Sequence, residues 1–150
     1  MDKTSDSLFV ISEYALDSKP FDKGYKTNDW DKCSLKKWLN STFFNKAFTS
    51  EEKSLIENTS YGKVFCLSIE EAMKYFSSNS DRKCEPTQYA LRQIRQLPFA
   101  SNGFMIWWLR SSGRSLHDAA SVLPNGGICP GAIGVDEDSI AVRPAMKLRF

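Results

Sequence analysis

Apolar positions along this chain fall in short runs separated by polar, Gly- and Ser-rich stretches, and the spacing inside each run predicts its element. Leu8-Phe9-Val10-Ile11-Ser12 is a continuous run of strand length, and Ser18-Lys19-Pro20-Phe21 with Gly24 reads as the loop after it. Leu35, Trp38 and Leu39 recur at i, i+3 and i+4, one stripe of a helix for which Ser34 is the expected N-cap; Phe43, Phe44 and Phe48 continue it past Asn40. Thr49 with Glu52, and Ser68 with Glu71, each fit a capping box, in which the hydroxyl and the carboxylate satisfy two backbone N–H groups reciprocally. The first starts a short helix carrying Leu55 and Ile56, with Phe48 as its hydrophobic staple. The second starts a helix through Ala72, Met73 and Phe76 that ends in the polar run Ser77 to Asp81. Between them Val64-Phe65-Cys66-Leu67 reads as a strand, and Pro86 or Thr87 opens a further helix through Tyr89, Ala90, Ile94 and Leu97, stopped by Pro98.

The pattern changes at Phe104. Met105-Ile106-Trp107-Trp108-Leu109 is strand-like and almost wholly apolar, and the stretch beyond it is rich in Gly, Ser and Pro. Adjacent strand residues point to opposite faces, so Trp107 and Trp108 need two covered faces, and both are expected to be largely buried. Pro124-Asn125-Gly126-Gly127, between Val122 and Ile128, predicts a hairpin turn, because Asn and Gly tolerate positive φ. A last strand runs from Ile140 to Leu148, with Pro144 implying an edge or a bulge. A mostly helical first part opened by one strand, followed by a strand-rich remainder, predicts an α+β fold, helices packed around a small twisted antiparallel sheet with its N- and C-terminal strands close together. Arg110 and Arg143 are expected to hold loops by hydrogen bonds to carbonyls or a carboxylate.

With 150 residues and 41% hydrophobic content the chain can bury one proper core, so residues 1–150 are read as a single domain. A net charge of +2 gives no field strong enough to argue for nucleic acid or an anionic membrane surface. Cys33, Cys66, Cys84 and Cys129 form no C-x-x-C pair, which removes the usual zinc and dithiol signatures; Cys66 sits inside an apolar run, and free thiols are expected. The first six residues hold no apolar signal core and no apolar stretch is long enough to span a bilayer, so membrane insertion is not expected and any export would depend on another segment.

Chemistry-bearing patterns are sparse. His117 lies in a Gly- and Ser-rich loop with Asp118 and Ser115 nearby, and a solvent-facing loop histidine accounts for it. Glu51-Glu52 and Glu70-Glu71 fall in first helical turns, where carboxylates suit the helix dipole, and Asp136-Glu137-Asp138 lacks the spacing of a calcium loop. Neither cofactor nor metal is expected. A hydrolase or thiol enzyme using His117 or Cys129 is the alternative class, requiring one of them beside an orienting partner. A structural subunit of a surface or virion assembly is a third, requiring a large apolar contact patch.

Trp30-Asp31-Lys32-Cys33-Ser34-Leu35-Lys36-Lys37-Trp38-Leu39-Asn40, Phe43 with Ala47-Phe48, Val64-Phe65-Cys66-Leu67-Ser68, Trp107-Trp108-Leu109-Arg110-Ser111 and Val142-Arg143-Pro144-Ala145 together resemble a domain family of bacteria and phages. Its consensus reads W-x-x-C-S-L-R-x-W-L-N, V-F-L-L-S, W-W-L-R-S-P-G and V-R-P-A-L. The resemblance, from about Leu8 to Leu148, implies a C-type-lectin-like fold of the subtype shared with formylglycine-generating enzymes. It further implies kinship with the variable proteins of diversity-generating retroelements, in which Asn codons near the C-terminus are randomised on a fixed scaffold. Ser112 replaces the family's usual Pro, the Ile56–Val64 loop is short, and the strand that usually precedes Leu8 is not visible, suggesting a trimmed domain or an edge completed by another segment. The paired active-site cysteines of formylglycine generation are not placed here, so the enzymatic branch of the resemblance fails.

Randomised Asn codons ending in a pyrimidine never yield Lys, Glu, Gln, Met or Trp. The chain holds 32 of these residues, none of them in the 26 positions from Ser111 to Asp136, where even spreading would place roughly five or six. Residues 111–136 are therefore the candidate variable loop region. Within it Arg114, Ser115, Leu116, His117, Ser121, Leu123, Pro124, Cys129, Pro130, Ala132 and Ile133 are the expected ligand-binding positions. The expected function is non-catalytic recognition, the partner a protein or cell-surface receptor, without nucleic acid.

Overall fold

The computed structural model describes residues 3–4, 6–94 and 100–150. The fold is α+β, with two small sheets sharing one core. The first sheet is antiparallel throughout, in the order β1 (Lys3–Thr4), β2 (Ser7–Ile11), β11 (Ala145–Arg149), β4 (Val64–Phe65). The terminal strands are thus direct neighbours, with Met146 opposite Val10. A strand does precede Leu8: β1 extends the edge that the sequence left open.

The second sheet runs β3 (Asp17–Ser18), β10 (Ala141–Val142), β7 (Trp107–Ser112), β8 (Asp118–Val122), β9 (Ile128–Gly134). The expectation of a purely antiparallel sheet is corrected here, because β10 lies parallel to β7 with Ala141 opposite Trp107. After β9 the free side of β7 is reached only by crossing the sheet, and the crossing ends with the Ala141 N–H donating to the Ile106 carbonyl at 2.8 Å. Pro144 is not at an edge or a bulge. It is buried where the chain steps from β10 in one sheet to β11 in the middle of the other, so its missing N–H breaks no ladder. A separate hairpin joins β5 (Ala100–Ser101) to β6 (Phe104–Met105).

Helices α1 (Ser34–Trp38), α2 (Phe44–Ala47), α3 (Ser50–Leu55), α4 (Ile69–Tyr75), α5 (Asn79–Arg82) and α6 (Gln88–Gln93) are short. Both capping boxes form, Thr49 with Glu52 and Ser68 with Glu71. Thr87 caps α6, which ends at Gln93 with Ile94 already extended as its C-cap, so the helix expected to run through Ile94 and Leu97 is shorter; Leu97 and Pro98 lie outside the described residues. The N-cap of α1 is Cys33 rather than Ser34: its sulfur accepts the Lys36 N–H at 3.4 Å. The Ser34 hydroxyl is engaged elsewhere, accepting the Lys23 N–H at 2.8 Å. A π-helical turn, Leu39–Phe43, links α1 to α2. Inside it Asn40 donates to the Lys36 and Val64 carbonyls and accepts from the Lys63 and Val64 N–H groups, which ties the helix to β4.

Trp107 and Trp108 are both fully buried, because layers cover both faces of β7. The Trp107 indole donates to the Arg82 carbonyl at 3.0 Å and packs against Phe76; that of Trp108 donates to the Lys19 carbonyl at 2.8 Å and packs against Phe21. Arg110 donates to the Cys66 carbonyl and to both carboxylate oxygens of Glu71, with its guanidinium 3.7 Å from the Tyr61 ring centroid. Arg143 donates to the Ser12 carbonyl at 2.9 Å and lies over Phe76 and Trp107. Both arginines therefore serve the scaffold. All four cysteines are free thiols; Cys33, Cys66 and Cys84 are buried, and burial pushes the Cys33 and Cys84 thiols up to about 11.

Candidate functional site

The segment 111–136 is less irregular than its composition suggests, since most of it forms β8, β9 and the turn between them. Val122 pairs with Ile128, the Leu123 N–H donates to the Gly127 carbonyl at 2.8 Å, and Gly126 takes the positive φ of 82° that the turn needs. This regularity divides the eleven expected binding positions by burial.

Arg114, Ser115, Leu116, Pro130 and Ala132 are exposed, Leu116 at 60%. His117, Pro124 and Cys129 are half-buried. Leu123 and Ile133 are half-buried too and pack against the core. Ser121 is corrected outright. It is fully buried on β8, in register with Trp108 on one side and Cys129 on the other, and cannot touch a ligand in this fold.

One close approach joins the exposed residues into a single surface. β9 is the edge strand of its sheet, which suits the missing N–H of Pro130, and Gly131 at its middle is buried beneath the loop after β7. A Cβ on Gly131 would stand 2.4 Å from the Arg114 nitrogen, so only glycine lets that loop lie on the strand. Arg114 to Leu116 are thereby held beside Pro130 and Ala132.

The other wall comes from a segment that sequence reasoning missed. The Asn28 side chain donates to the Ser115 carbonyl at 2.7 Å, and the Ser112 hydroxyl donates to the Asn28 carbonyl at 3.1 Å. Tyr25, 48% exposed and with a positive φ of 54°, stacks on His117 with centroids 4.3 Å apart and planes 13° from parallel. Tyr25, Leu116 and His117 thus present one aromatic and aliphatic patch. Tyr25 lies alone between Gly24 and Lys26 in a polar stretch, outside any periodic pattern that could have flagged it.

The alternative chemistry finds little geometry among the described residues. The Asp118 carboxylate accepts the Ser115 hydroxyl at 2.8 Å rather than orienting His117, whose Nδ1 is buried without a hydrogen-bond partner. Cys129 faces Ser121 across the hairpin. No group of three or more His, Cys, Asp or Glu that could hold a metal occurs among the described residues.

The chain belongs to the DUF6273 family, a domain of unknown function, whose family model matches residues 5–150. No curated protein and no solved structure matches it.

Proposed function

We propose that this DUF6273 chain is a non-catalytic binding module of C-type-lectin-like fold, recognising a protein or cell-surface receptor through the surface around Leu116. The observation that carries the reading is the Gly131–Arg114 contact, which gathers the exposed residues of the loop and of the edge strand onto one rigid backbone. Side chains displayed in this way can be exchanged at little cost to the fold, while the sheet fixes where they point. The lectin-like part of the proposal is supported by the ordered motif blocks and by the pairing of terminal strands β2 and β11.

Diversification by a retroelement belongs to the same proposal and is supported by the absence of Lys, Glu, Gln, Met and Trp from the exposed positions of residues 111–136. Sequencing the encoding locus tests it. The expected result is a second copy of this segment beside a reverse transcriptase gene, differing at template adenines in codons for exposed residues such as Arg114, Leu116, Pro130 and Ala132. Invariance at those codons, or variation concentrated at Ser121 and Val122, would overturn the reading.

A further inference from the structure

Beside β3 lies a cleft of about 340 Å³ whose lining includes Asp17, Lys19, Trp38, Phe43, Lys46 and Tyr89. Asp17 is only 6% exposed, yet among the described residues its carboxylate has a single hydrogen-bond partner, the N–H of the next residue, Ser18, at 2.7 Å on Oδ1. Oδ2 has no hydrogen bond and no ion pair among the described residues. A mostly buried carboxylate that no cation grips directly is costly to charge, and burial raises the affinity of Asp17 for its proton despite the nearby Lys19. Around it stand three aromatic side chains, half-buried Trp38 and Phe43 and exposed Tyr89. The Lys19 ammonium already rests 5.0 Å from the Trp38 ring centroid, so this wall holds a cation even in the unliganded chain.

We infer that this cleft binds an organic cation bearing N–H donors, a guanidinium or primary ammonium, with the donors on Asp17 and the alkyl stem against Trp38, Phe43 and Tyr89. A carboxylate accepts from such donors in the plane where guanidinium presents two, and aromatic faces attract the same charge. Lys46 lines the same cleft but is exposed, where solvent screens its repulsion. Lys19 is displaced from Trp38 or shares it with the incoming group. The site is separate from the surface around Leu116, and either can fail without the other.

The test is titration of the full chain with n-butylguanidinium at low salt, following the Trp38 indole N–H by NMR, with neutral n-butylurea as the isosteric control. Saturable binding in the millimolar range is expected, weakened at least tenfold by Asp17→Asn and measurably by Tyr89→Ala, whose exposed side chain leaves folding intact. Absence of saturable shifts, equal binding of butylurea, or unchanged affinity in both variants would overturn the inference. A blocked Gly-Gly-Arg-Gly-Gly peptide separates two sources of the cation. Binding at least tenfold tighter than butylguanidinium assigns the cleft to a protein's arginine, and equal or weaker binding assigns it to a free small cation.

Discussion

Ser121 separates a displayed position from a scaffold one, because exchange there is expected to change stability in opposite directions. Its hydroxyl is buried on β8 without a hydrogen-bond partner among the described residues, between the register positions of Trp108 and Cys129. An unpaired buried polar group costs about 1–3 kcal/mol, so Ser121→Ala should stabilise the chain by about 1 kcal/mol once the packing of the missing oxygen is subtracted. Ser121→Tyr must instead fit a ring into filled space; overpacking costs about 1–3 kcal/mol in ordinary cases, and a whole ring belongs at or above the upper end. The matching exchange at exposed Ala132 should stay within about 0.5 kcal/mol. Urea melts with a constant m-value read all three, and each kcal/mol should move the thermal midpoint by about 2–4 °C in a chain of this size. If Ser121→Tyr unfolds at the wild-type midpoint, β8 is not a closed layer and Ser121 returns to the display set.

Three further outcomes are expected. Arg114→Ala and Leu116→Ala should each shift stability by no more than about 0.5 kcal/mol while Trp108→Ala costs about 3–5 kcal/mol, and equal costs in denaturant melts would make the loop part of the core. Glu71→Ala strips the carboxylate from Arg110, a side chain only 9% exposed, and should cost about 3–5 kcal/mol, against about 1 kcal/mol for Glu52→Ala in the exposed capping box of α3; similar melts for the two would refute the structural role of the ion pair. A thiol reagent should modify Cys129 first, and Cys33, Cys66 and Cys84 only on unfolding. Because Cys33 and Cys84 are raised to about 11 from an unfolded value of 9.0, their contribution to stability is complete below pH 9 and is lost as the pH rises through 11, which melts between pH 8 and 11 should register.

What was legible in the chain was local. The capping boxes, the Asn-Gly turn and the buried Trp107-Trp108 pair each depend on neighbours within a few positions or on a period, and each is formed. What failed depends on partners distant in sequence. Ser34 loses the cap because Lys23 claims its hydroxyl, and β10 reaches the free side of β7 only after a crossover that brings it in parallel. The candidate surface obeys the same division. Ala119-Ala120-Ser121-Val122 resembles loop composition, yet all four residues are buried, since a strand covered on both faces in a tight space needs small side chains. Burial therefore supplies its own reason for the absence of Lys, Glu, Gln, Met and Trp from that part of the segment, independent of any codon. The absence of those residue types carries weight only where side chains are free, as at Arg114 to Leu116 and at Pro130 and Ala132, and next to Leu116 the structure adds Tyr25, stacked on His117, that no period in the sequence marks. If the proposed surface binds around Leu116 and His117, Tyr25, stacked on His117, is expected to be met as well, so Tyr25→Ala should weaken binding whatever residues stand at the exchangeable positions, and unchanged affinity in a titration would refute its part in the face.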